Sequence, residues 1–154
     1  VQGEYGPQER ATLRGPSGLI GRVQDERAGL QWCRDVTGDG VPEALLFTYS
    51  GGAHCCTEHT LYTLSTPPRE LLHAYSGNVA ELVPAQLDGR GPLELLSYDN
   101  RFAYAYGLCF ACSPFLPVVY ALRDGLYVDD SRSFPGLISA RTAVTGAPAE
   151  PADL

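Results

Sequence analysis

The chain has 154 residues, a net charge of −7 and a pI near 4.8. It shows no cluster of Lys or Arg, which argues against a nucleic-acid partner, and no apolar run reaches the ~18 residues that a membrane-spanning helix needs. A hydrophobic fraction of 44% suffices for a packed interior, while 17 Gly and 12 Pro favour many short strands over helices. The chain starts at Val1 and holds no Met, so the expectation is a processed chain. Five cysteines, two of them adjacent, fit an oxidising compartment better than the cytosol. The expected location is therefore secreted, periplasmic or in the cell envelope.

In chain order, short strands are predicted near 11–14 and 19–24, and residues 30–33 lead into the loop Asp35-Val-Thr-Gly-Asp-Gly-Val-Pro-Glu43. A strand at 44–49 follows, then a loop at 50–58, a strand at 59–64, the turn Ser65-Thr-Pro-Pro68 and a strand at 70–75. A second loop, Gln86-Leu-Asp-Gly-Arg-Gly-Pro-Leu-Glu94, leads into a strand at 94–99. After a loop at 100–116 come strands at 117–123 and 126–129. The Asp124-Gly125 pair between them is a strong hairpin signal. Residues 143–154 are a Pro/Ala-rich tail of a composition that builds no core. The expectation is a single all-β domain over 1–142. Its two tandem antiparallel repeats, about 30–78 and about 79–130, resemble propeller blades. A period of about 50 residues with several strands suits that architecture, but two blades cannot close a propeller. The expected form is an open pair of sheets or a sandwich.

The loop 35–43 carries the clearest chemistry. Asp35, Thr37, Asp39 and Glu43 present side-chain oxygens at positions 1, 3, 5 and 9, and Val41 adds a carbonyl. Hard cations such as calcium take six to eight oxygen ligands at roughly 2.3–2.6 Å, and Gly38 and Gly40 permit the curl that this needs. An EF-hand requires a bidentate Glu at position 12, where this chain has Leu46. The competing reading is a Gly-rich turn whose Asp side chains satisfy only its own backbone. In the second loop Gln86 stands for Asp35, and Arg90 puts a positive charge in place of Asp39, so that loop is expected to bind no ion.

An Asp/Gly loop of this form running into an apolar strand resembles the FG-GAP/VCBS class of repeats found in integrin alpha chains and many secreted bacterial proteins. The segment Ser50-Gly-Gly-Ala-His-Cys-Cys56 is similar to one in some secreted bacterial proteins with such repeats, and Arg101-Phe-Ala-Tyr104 after the second loop extends the likeness. It covers roughly residues 30–130 and departs at Cys33 and at Cys109-Phe-Ala-Cys112. The resemblance implies calcium binding in a structural or adhesive role, with another envelope or extracellular protein as partner.

The cysteine loops at 50–58 and 100–116 hold equivalent places in their repeats and should lie at one end of the fold. A disulfide joining Cys55 or Cys56 to Cys109 or Cys112 is favoured, with local Cys55–Cys56 or Cys109–Cys112 bonds as the alternative and Cys33 as a buried odd thiol. A sharper reading makes His54, Cys55, Cys56 and His59 a copper or zinc site. In that case the protein would be a secreted metal-dependent redox protein, with superoxide-dismutase-like or thiol-redox activity. A sandwich-type copper dismutase needs four imidazoles, however, and only His54, His59 and His73 exist. No nucleophile elbow or catalytic triad spacing is present, and catalysis is the less favoured reading. Phe102, Tyr104 and Tyr106 alternate with small residues; a packed strand face is the favoured reading and a ligand platform the alternative.

Overall fold

The computed structural model describes residues 7–78, 81–137 and 139. The predicted tail at 143–154 lies outside the described residues. Among the described residues, ten strands make three antiparallel sheets. Strands β1 (Glu9–Gly15) and β2 (Gly18–Asp25) form a hairpin. Strands β3 (Arg27–Arg34), β4 (Glu43–Tyr49), β5 (Thr57–Thr63) and β6 (Arg69–Gly77) form a four-stranded meander in sequence order. Strands β7 (Val83–Ala85), β8 (Glu94–Asp99), β9 (Leu116–Arg123) and β10 (Leu126–Asp129) form a second one. The fold is all-β and open, closed into neither a barrel nor a propeller. The short β7 is the one strand with no counterpart in the sequence reading.

The two meanders repeat in detail. Each runs strand, Asp/Gly loop, strand, Cys-bearing loop, strand, turn, strand. The loop glycines adopt matching left-handed conformations: Gly38 and Gly40 at φ 78° and 84°, Gly89 and Gly91 at φ 78° and 69°. Side chains in that region cost energy that glycine avoids.

Strand β4 is a near-continuous apolar run because both of its faces are covered. One face meets the core, and the β1–β2 hairpin lies over the other side of its sheet. The hairpin comes close enough that a Cβ on Gly21 would sit 2.6 Å from the Tyr62 ring. Strand β9 alternates instead, burying Pro117, Val119 and Ala121. The core joins both meanders, with Val36, Leu45, Leu61, Leu71, Leu72 and Ala74 from the first and Leu95 and Tyr127 from the second, and Leu82 between them. Leu45, Leu61, Leu82 and Leu95 are wholly buried, each contributing about 1.5–3 kcal/mol relative to exposure. The Trp32 indole N–H donates to the Leu82 carbonyl at 2.8 Å, tying the start of the second repeat to β3.

Three sequence expectations are corrected here. Cys33 is exposed, not buried; a register shift between Leu30 and Trp32 lets Trp32 pack on the core while Cys33, next in the chain, stays in solvent. Phe102, Tyr104 and Tyr106 do not form a core face. Residues 101–107 make turns and a short 3-10 segment, Tyr104 and Tyr106 have φ of 62° and 58°, and Tyr106 is 90% exposed. The disulfides are local: Cys55 bonds Cys56, and Cys109 bonds Cys112. The two loops do meet at one end, but through rings rather than sulfurs.

Candidate functional site

Strand β3 delivers the chain to Asp35, and strand β4 carries it away from Glu43, so the loop 35–43 is fixed at both ends by one sheet. The Asp35 carboxylate is turned into the loop, its two oxygens accepting the Gly38 N–H at 2.7 Å and the Gly40 N–H at 2.9 Å. Asp39 accepts the Val41 N–H at 2.8 Å. To this extent the loop satisfies its own backbone, as an Asp/Gly turn does.

Glu43 has a different environment. It opens β4 with its side chain fully buried. Oε2 accepts the N–H groups of Val36 at 2.9 Å and Thr37 at 3.3 Å. Oε1 has no partner at full hydrogen-bonding geometry, although the Thr63 hydroxyl interacts with this carboxylate, and the buried hydroxyl of Thr37 has none either. Burial raises the Glu43 pKa above its ordinary value, with a further push from the Asp39 charge. The Val36 and Thr37 N–H groups and the Thr63 hydroxyl oppose the shift. Thr37, Asp39 and Glu43 line a cavity of about 210 Å³ with Thr63, Ser65, Arg69 and Leu71 from the β5–β6 hairpin. In the sequence Ser65 is part of a turn, and nothing local links it to a loop more than twenty residues earlier.

Buried oxygens without a well-formed hydrogen bond are uncommon, since buried polar groups are nearly always paired; outside the loop the Ser97 hydroxyl is another. Glu43 Oε1 and Thr37 Oγ1 both belong to the predicted oxygen set, and the donor chemistry is all oxygen, as a hard cation prefers. The fit is incomplete, because Asp35 faces the backbone and Arg69, a cation, lines the same cavity. Among the described residues no three His, Cys, Asp or Glu side chains converge as a metal site would. Val41, the fifth predicted ligand, donates its N–H to Asp39.

The second loop closes on itself. Glu94 repeats Glu43, accepting the Leu87 N–H at 2.8 Å. Gln86 spans the loop as Asp35 does, its oxygen accepting the Arg90 N–H at 3.1 Å and its amide donating to the Gly91 carbonyl at 3.4 Å. The Arg90 side chain points outward and is 87% exposed.

The His/Cys residues do not assemble as a ligand set. Cys55 and Cys56 are spent on each other. His59 is buried in β5 with Nδ1 2.8 Å from the Ser76 hydroxyl. His54 lies in the loop and stacks on Phe110 at a centroid distance of 3.9 Å, with its Nδ1 bonded to the Tyr104 hydroxyl. His73 pairs with Thr60 and Glu58. The Asn100 amide donates to the His54 carbonyl at 3.3 Å, so the two cysteine-bearing loops form one contiguous surface.

Among the described residues no helix is long and apolar enough to cross a membrane. No protein-family model matches the chain, and no solved structure matches it. It is 33% identical over 100 residues to a probable thylakoid lumen protein of Synechocystis sp.. The match takes in 63% of this chain and 29% of that protein, so the chain spans less than a third of the relative's length.

Proposed function

We propose that this chain is a calcium-binding structural module of an extracytoplasmic compartment, whose partner is another envelope or extracellular protein. The observation that carries the reading is the pair of buried oxygens without a well-formed hydrogen bond, Glu43 Oε1 and Thr37 Oγ1, in one cavity with Asp39. A divalent cation held by Thr37, Asp39 and Glu43 would satisfy both oxygens and offset the burial of the Glu43 charge. It would brace the loop against the β5–β6 hairpin, so its work is stabilisation rather than chemistry. The likeness of the Asp/Gly loop to FG-GAP/VCBS repeats supports the same reading. The printed description of the Synechocystis relative as a lumenal protein supports a location outside the cytoplasm.

Thermal unfolding with calcium against chelator tests the proposal. A cation at 100 times its dissociation constant adds about 2.7 kcal/mol, a plain shift in melting temperature. An unchanged melting temperature at millimolar calcium would remove the reading.

A further inference from the structure

The two disulfides fail as staples. Cys55–Cys56 joins adjacent residues, and Cys109–Cys112 spans a sequence separation of 3, so neither ties one strand or sheet to another. The stabilisation from closing a loop grows with loop length, and these are among the shortest loops possible. The Cys109–Cys112 pair lies outside the sheets, and both residues are exposed.

The loop around that pair is held by contacts that do not need the S–S bond. The buried Ser113 hydroxyl donates to the Cys109 carbonyl at 2.8 Å and accepts the Tyr104 N–H at 2.9 Å. Phe110, between the two cysteines, stacks on His54 and meets Phe115 edge-on at 5.4 Å. The Cys112 N–H is shared between the Cys109 carbonyl and the Cys109 sulfur, 3.1 Å from each. A hydrogen bond to sulfur favours the thiolate over the thiol, so the geometry distinguishes Cys109 from Cys112.

We infer that Cys109–Cys112 is a thiol–disulfide exchange site acting on an exposed dithiol of a partner protein. A partner thiolate attacks Cys109 Sγ. The S–S bond breaks, and its electron pair leaves on Cys112 Sγ, which takes a proton from solvent. The partner's second thiol gives up its proton and attacks the partner sulfur of the mixed disulfide. Cys109 Sγ leaves as a thiolate under the Cys112 N–H. The partner dithiol is oxidised by two electrons to a disulfide, and the cysteine pair is reduced by two. The same steps run in reverse.

The test uses the full chain with Cys33→Ser, which removes the free thiol, and a reduced, unstructured peptide carrying two cysteines. After quenching, alkylated cysteines are mapped by mass spectrometry, and the sheets are followed by circular dichroism. The expected result is one peptide disulfide formed per chain, with new thiols at Cys109 and Cys112 and the β signal unchanged. Opening of this bond only together with loss of the β signal would overturn the proposal, as would thiols appearing at Cys55 and Cys56 alone. For the single-cysteine variants the peptide is supplied with its two cysteines joined as a disulfide: the Cys109 thiolate of Cys112→Ser should attack it, releasing one peptide thiol and forming the mixed disulfide at an initial rate at least tenfold that of Cys112 in Cys109→Ser. Equal or reversed rates would overturn the assignment of Cys109.

Discussion

The Tyr127 hydroxyl lies 3.0 Å from the carbonyl oxygen of Val36, a residue 91 positions earlier in the chain. It is equally far from the Leu93 carbonyl, while the Leu93 N–H donates to that same Val36 oxygen at 2.8 Å. One phenol thus joins the two Asp/Gly loops across the boundary between the repeats. Burial raises the Tyr127 pKa, and the charges of Glu43, Glu94 and Asp35 push it further up. The hydroxyl therefore keeps its proton and remains a donor. Tyr127→Phe leaves the Leu93 carbonyl without this partner and is expected to cost about 1–2 kcal/mol. Urea denaturation should show a lower midpoint with an unchanged slope.

Glu43 sets the pH dependence. Its folded-state pKa is raised above the ordinary 4.5. As pH rises past that ordinary value, the unfolded chain loses its proton first, and the folded protein holds more protons across the window up to the raised value. Stability without calcium therefore falls as pH rises through that window and stays flat above it. Glu43→Gln keeps an oxygen for the Val36 and Thr37 N–H groups but carries no buried charge. In chelator at pH 7 it should be more stable than wild type by about 1 kcal/mol, with the difference vanishing below the ordinary carboxyl pKa. Wild-type calcium affinity should weaken on acidification, because proton and cation compete for one carboxylate. Equal stability of the two proteins in chelator across the pH range would contradict this account of the burial.

The parts of the fold that were legible in the sequence were those fixed by local chemistry. Asp124-Gly125 turned a hairpin where two glycine-compatible angles are needed, and the apolar run after Glu43 became a central strand. The paired loops at Asp35 and Gln86 revealed the repeat through their glycines. Features decided by tertiary context were hidden. Val83–Ala85 is too short to show a period. The alternating aromatics from Phe102 to Tyr106 imitate a strand, although two of them take left-handed backbone angles. Sulfur pairing depends on which way short loops point, and spacing does not fix that. The buried oxygens of Thr37 and Glu43 that lack a well-formed hydrogen bond emerge only once the β5–β6 hairpin closes over them.

Asp35 and Asp39 should separate by role. Asp35 holds two loop N–H groups whether or not an ion is bound, so Asp35→Ala should lower stability in chelator by about 1–2 kcal/mol. Asp39 makes one such bond at the exposed tip. Asp39→Ala should cost less in chelator, about 0.5–1 kcal/mol, yet abolish the calcium-dependent rise in melting temperature. Melting curves of both variants with calcium and with chelator provide the check. A calcium response that survives Asp39→Ala would remove Asp39 from the ligand set.

The second loop offers a gain-of-function check on the same logic. Its backbone already curls like the first, and its buried Glu94 accepts the Leu87 N–H as Glu43 accepts that of Val36. It lacks carboxylates at the first and fifth positions, where Gln86 bridges the loop with an amide and Arg90 adds a positive charge. Since the Arg90 side chain is almost fully in solvent, its replacement should change stability by no more than about 0.5 kcal/mol. Arg90→Asp alone removes the repulsion but leaves the Gln86 amide donating to the Gly91 carbonyl. Gln86→Asp with Arg90→Asp restores both charges. Titration calorimetry should find one calcium per wild-type chain and two per doubly substituted chain. Two ions already bound by wild type would show that Arg90 does not block the second loop, and one ion in the double variant would show that carboxylate count does not decide occupancy.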